Sequence, residues 1–138
     1  MRPRIALPVI VLVVLAGCSN NPRHQLAVSS QVVAASLFAA QDAENALFAA
    51  QRITPAQHQR LNQHLVVALT LGREFNTAIR AWDQGQPLPS QLEKLKAVLL
   101  RITAELSTGY PDDVRVQLLS TITATYDAIL AVLAAAAA

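Results

Sequence analysis

Leu61, Leu65, Ala68, Gly72, Phe75, Ile79 and Trp82 recur at alternating four- and three-residue spacing, and no other feature constrains the fold of this chain as strongly. A seam of that kind keeps its place on one side of a helix and suits left-handed helix packing; the two-residue repeat of a strand cannot accommodate it. Thr54-Pro55-Ala56-Gln57 opens the helix with a capping hydroxyl, a proline at the first helical position and a glutamine three residues after the cap. Gly85 ends it, and Pro87 and Pro89 prevent its continuation. Gly72 costs about 1 kcal/mol of helix propensity relative to alanine. Its place on the seam points to a close helix crossing.

Three further segments share this periodicity. Residues 26–52 are alanine-rich, with Val28, Val32, Ala35, Ala39, Ala43, Ala46, Ala50 and Ile53 at three- or four-residue steps and Val33, Leu37, Phe38, Leu47 and Phe48 on a second side. Such a helix is expected to be covered on more than one face. Ser90-Gln91-Leu92-Glu93 reads as a second capping box, followed by Leu92, Leu95, Leu99, Ile102 and Leu106, with Arg101 and Glu105 at pairing distance on one helix face. Thr108-Gly109-Tyr110-Pro111 makes a break, after which Asp112 and Asp113 suit a helix N-terminus. The last segment carries Leu118, Ile122, Thr125, Ile129 and Val132 on one stripe, and the tail from Ala134 is expected to fray. Residues 128–138 are apolar but too few for a membrane span.

The fold class expected is therefore all-α, a small antiparallel bundle of three to four helices occupying residues 25–135, with residues 136–138 as a frayed tail. At 138 residues the chain supports one core. The third helix is shorter than the others, which would expose apolar surface of the first and second helices to another copy or another protein.

The N-terminus is built differently. Arg2 and Arg4 precede an apolar stretch, and no charge interrupts residues 5–17, the pattern of a secretory signal. Leu15-Ala16-Gly17-Cys18 then resembles the lipobox of bacterial lipoproteins. That resemblance implies removal of residues 1–17, acylation of Cys18 as the first mature residue, and anchorage by a diacylglyceryl group. Cys18 is the single cysteine, so an exported chain could form no internal disulfide, and acylation gives the thiol a purpose. Residues 18–24 are read as the acylated cysteine and a short polar tether. Ser19 stands where an Asp would, by the same resemblance, imply retention in the inner membrane, so the periplasmic face of an outer membrane is expected in a diderm organism.

Charge agrees with this division. Removing Arg2 and Arg4 from the eleven basic residues leaves nine, against nine acidic ones. A neutral domain with singly spread basic residues has no field or patch to gather nucleic acid.

Chemistry-bearing constellations are sparse. His24 falls in the tether, and His58 and His64 are six residues apart, not the i,i+4 pair of a helical metal site, so no metal or cofactor is expected. Asp42, Glu44, Glu74 and Asp83 read as solvated face charges, and no nucleophile elbow or phosphate-binding glycine loop occurs. The expectation is a non-enzymatic envelope lipoprotein that binds or positions another envelope protein or itself. Trp82, with Phe75 and Phe48, is the candidate partner contact, although Trp82 at the end of its seam is also placed to cap the core. Alternatives are a bundle carrying a hydrophobic ligand, a pilotin-like assembly factor (a resemblance in size and helicity without a shared motif), and a phage or plasmid lysis-type lipoprotein, from whose proline-rich pattern this chain departs.

Overall fold

A computed structural model describes residues 21–137, which form four helices and one 3₁₀ turn: α1 (Pro22–Ala49), α2 (Pro55–Ala78, continued by the 3₁₀ turn Ile79–Ala81), α3 (Gln91–Leu106) and α4 (Asp112–Ala137). The lipobox and Cys18 lie outside the described residues. Each helix packs on its neighbours around a ring, α1 on α2, α2 on α3, α3 on α4, and α4 back on α1, with α1 and α4 sharing the longest contact. Long-range pairings run in opposite senses along neighbouring helices. Ser30 meets Asn76 while Glu44 meets His58, so α1 and α2 are antiparallel. Arg52 reaches Asp113, and Ser36 reaches Thr125, which sets α4 antiparallel to α1 as well.

Two poles result. The near pole gathers Asn21, Trp82 and Ala135, hence the start of α1, the end of α2 and the end of α4. The far pole holds the turns that follow α1 and α3, tied together where Gln57 Nε2 donates to the Gly109 carbonyl at 3.0 Å.

The second helix starts as its sequence predicts. Thr54 Oγ1 accepts from Gln57 N–H at 3.1 Å, and Gln57 Oε1 accepts from Thr54 N–H at 2.9 Å, a complete capping box. Three other boundaries differ from expectation. α1 begins at Pro22 because Asn21 Oδ1 accepts from the N–H groups of Arg23 and His24, at 3.0 and 3.4 Å, so residues 22–24 belong to the helix and not to the tether. At Ser90 the expected box is absent: Ser90 already has helical angles, and the first turn closes instead with Leu92 N–H donating to the Pro89 carbonyl. The tail is helical to Ala137, with Ala135 buried at the near pole. Glu105 also turns away from Arg101 toward α2, where Arg60 Nε donates to it at 3.1 Å.

Leu37, Leu61, Leu65, Phe75, Leu95, Leu99, Leu106 and Ile129 are among the largest fully buried side chains and form the centre of the core. Gly72 marks the close crossing. A Cβ there would stand 2.9 Å from Leu37 Cδ1 and 3.8 Å from Ala34 Cα, so the space a side chain would take is filled by Leu37 of α1. α3 has 16 residues against 24 to 28 in the other helices, and its missing length is at the near pole. Trp82 and Leu88, from the end of α2 and the connection to α3, fill in against the core there.

α1 ends in a Schellman motif. Arg52 N–H donates to the Leu47 carbonyl at 2.9 Å and Gln51 N–H to that of Phe48 at 3.0 Å, which places Gln51 in the left-handed region at φ 59°. A side chain there costs about 1 kcal/mol or more. Gln51→Gly is expected to raise unfolding free energy by about 0.5–1 kcal/mol, read by urea denaturation; a loss of stability would contradict the motif.

Candidate functional site

α1 carries polar groups inward at three levels. Ser30 Oγ bonds Asn76 Oδ1 of α2 at 2.8 Å, the Ser36 hydroxyl shares a hydrogen bond with Thr125 of α4 at 2.7 Å, and Glu44 Oε2 lies 2.5 Å from His58 Nδ1. Ser30, Glu44 and Thr125 have no solvent exposure. Each hydroxyl also donates locally to a backbone carbonyl or faces one, as side chains of this size do inside helices.

The Glu44–His58 pair has the most chemical character. Its carboxylate is fully buried while His58 remains a quarter exposed, and the Phe48 ring stacks on the imidazole at 3.9 Å between centroids and 3° between planes. Glu44 Oε1 has no hydrogen-bond partner among the described residues. Burial pushes the Glu44 carboxyl above its ordinary range, and the hydrogen bond and charge of His58 offset this only in part. Glu44 is thus not the solvated face charge its sequence position implies, whereas His58 stands at the boundary between core and solvent. An alanine-rich neighbourhood conceals the difference, because nothing in the local pattern of α1 separates Glu44 from Asp42.

Only the imidazole of the pair reaches solvent, and the contact is a tie inside the fold. It joins α1 to α2 just before and just after the turn at the far pole. A second polar knot stands at the same pole: Tyr110 Oη donates to Glu105 Oε2 at 2.8 Å beside Arg60. Burial and this carboxylate raise the Tyr110 hydroxyl well above its ordinary value. Burial alone would raise the Glu105 carboxyl, but Tyr110 and Arg60 outweigh it and hold Glu105 below the usual carboxylate range.

The candidate partner contacts separate in space. Phe75 is completely buried, and Trp82 is 8% exposed, its indole N–H donating to the carbonyls of Gln86 and Pro87 at 3.1 and 3.2 Å. Both serve the core, Trp82 by tying the connection that completes the near pole. Phe48 is half-buried against His58 at the far pole. The three do not form one surface. Beside Trp82 is a shallow surface hollow of about 210 Å³, lined by Asn21, Arg23, Leu26, Asp83 and Ala135 among others. The Arg23 guanidinium crosses it to the carbonyls of Trp82 and Arg80, at 3.3 and 3.4 Å, with Asp83 3.7 Å away. These bonds satisfy the carbonyls at the end of α2, which is what a cation at a helix C-terminus does.

His24 is exposed on the first turn of α1, and His64 lies half-buried on α2. Among the described residues, no three His, Cys, Asp or Glu side chains gather as a metal-binding group. The chain matches no family model, no curated protein and no solved structure.

Three outcomes check this reading. A carboxyl whose folded pKa is raised binds its proton more tightly in the native chain, so its contribution to stability is full below the unfolded carboxylate range and is lost as pH rises through the raised value. Glu44→Gln is therefore expected to gain on the parent protein in melting temperature as pH rises above the ordinary carboxylate range of about 4. His58→Ala is expected to lose about 3 kcal/mol at neutral pH, a cost largely absent in the Glu44→Gln background, where no buried charge is stranded. Equal losses in both backgrounds would show that the pair is not coupled. Trp82→Ala is expected to cost about 3 kcal/mol in a denaturant titration, and unchanged stability would restore Trp82 as a partner contact.

Proposed function

We propose that this chain is a lipid-anchored, non-enzymatic lipoprotein of the bacterial envelope, whose helical bundle is held at a bilayer through Cys18 and serves to bind or position another envelope protein or a second copy. The observation that carries this reading is Leu15-Ala16-Gly17-Cys18, placed directly after a charge-free apolar run with Arg2 and Arg4 before it. A single acyl chain holds a protein weakly, at about 0.8 kcal/mol per buried methylene, but two or three such chains make attachment effectively permanent.

The position of α1 lends support. Asn21 caps the helix only three residues after Cys18, and three residues of chain reach at most roughly 11 Å. An anchor at Cys18 therefore brings the near pole to the membrane surface and leaves the far pole, with Phe48 and His58, about 40 Å away if the bundle stands upright. Two features fit a role other than catalysis. The buried carboxylate is sealed from solvent, and the Arg23 that lines the hollow beside Trp82 is tied to the carbonyls at the end of α2.

Replacing Cys18 by Ser tests the anchor without touching the bundle. The expected result is that the protein moves from the membrane fraction to the soluble fraction while the thermal melt of the bundle stays the same. Membrane retention by Cys18→Ser at parental levels would overturn the reading.

A further inference from the structure

The turn between α1 and α2 is fastened from within by a contact whose charge depends on a proton. Glu44 stands one turn before the end of α1, and its carboxylate is completely buried. Oε2 lies 2.5 Å from His58 Nδ1, while Oε1 meets no donor among the described residues. His58 sits on the first turn of α2 with a quarter of its side chain exposed. The imidazole can therefore exchange protons with solvent while the carboxylate stays enclosed.

The other ties of this turn are weaker or uncharged. Gln51 holds a left-handed backbone angle that a side chain disfavours. Arg52 and Asp113 pair on the outside, where both are exposed and solvent screens them. Gln57 reaches the Gly109 carbonyl through a neutral amide. Leu47 and Ile53 are the buried apolar side chains on either side of the turn, and Phe48 covers the imidazole.

His58 is the titratable group that α2 turns toward Glu44. Between its contacts at Thr125 and Asp113, α4 passes Glu44 with residues 114–124, of which Arg115 alone is charged, and that residue pairs with Asp112. On α1 itself the neighbouring Asp42 is exposed. α3 does not pack against α1, and its Glu105 is held by Arg60 and Tyr110. His58 is thus the partner on which the state of Glu44 depends.

We infer that the Glu44–His58 pair is a proton-held latch on the far pole: loss of the pair's proton lets residues 45–57 open to water while the rest of the bundle stays folded. With one proton shared between them, carboxyl and imidazole make a unit with no net charge, whichever of the two carries it. When that proton leaves, a full negative charge remains in the core, with one neutral N–H on Oε2 and nothing on Oε1. Opening the turn is the direct way to bring water to it. Burial holds the Glu44 carboxyl above its ordinary range, which fixes the direction. The closed form is favoured fully below the unfolded carboxylate range and loses that advantage as pH rises through the raised value. The remaining polar levels, Ser30 with Asn76 and Ser36 with Thr125, carry no charge, so nothing in them follows the same proton. The latch does not depend on the lipid at Cys18.

Hydrogen exchange of the full chain, read by mass spectrometry and corrected for the intrinsic pH dependence of amide exchange, tests the latch. Protection of residues 45–57 is expected to fall roughly fivefold or more between about pH 5 and about pH 8, while residues 92–102 of α3 change less than about twofold. Glu44→Gln carries no charge at that position at any pH, and its protection of residues 45–57 is expected to vary no more than that of α3. Constant protection of residues 45–57 in the parent chain overturns the inference, and so does an equal fall in α3. A Glu44→Gln profile that still falls as the parent's does would also overturn it, because the carboxyl would then have no part in the opening. The parent profile decides by itself if the variant does not fold.

Discussion

The close antiparallel packing of α1 between α2 and α4 governs the rest of the molecule. Gly72 makes room for Leu37 of α1, whose Cδ1 would stand 2.9 Å from a Cβ there and would have to shift to admit a side chain. Apolar contact alone would leave this arrangement free to slide, because alanine and leucine faces fit one another in several registers. The polar groups of α1 remove that freedom. A one-turn slip would part Ser30 from Asn76, Ser36 from Thr125 and Glu44 from His58, leaving buried groups unpaired at about 1–3 kcal/mol each, and more for a charge. The hydrophobic seams supply most of the driving force, and the polar levels choose one alignment.

The all-α class, the number of helices, the seams and the short third helix could all be read from the sequence, because each depends on local periodicity and on turn residues such as Gly85 and Gly109, which sit at φ 93° and 80°. Boundaries were less legible. Asn21-Pro22 reads as polar linker until the side chain is seen accepting from Arg23 and His24. Ser90 has the composition of a cap but not its backbone angles. Partners across helices were not legible at all. Glu44 and Asp42 look alike in sequence, two residues apart and about 200° around the helix, and only the placement of α2 decides which of them is enclosed. Trp82 reads first as a cap on the core and second as a partner contact, and the carbonyls of Gln86 and Pro87 hold it inward.

α1 is the helix that follows Cys18, so in the proposed lipoprotein the lipid and the near pole are consecutive parts of one attachment, and the far pole is the surface left for a protein partner. The buried Glu44–His58 pair keeps the turn between α1 and α2 in place beneath that surface.

The lipid on Cys18 is where function and orientation both begin. Intact-mass and N-terminal peptide spectrometry of the protein purified from its natural membrane measures it directly. The predicted product starts at Cys18 and carries a diacylglyceryl group, with or without an amide-linked third chain. A product that retains residues 1–17, or a free thiol at Cys18, would contradict it.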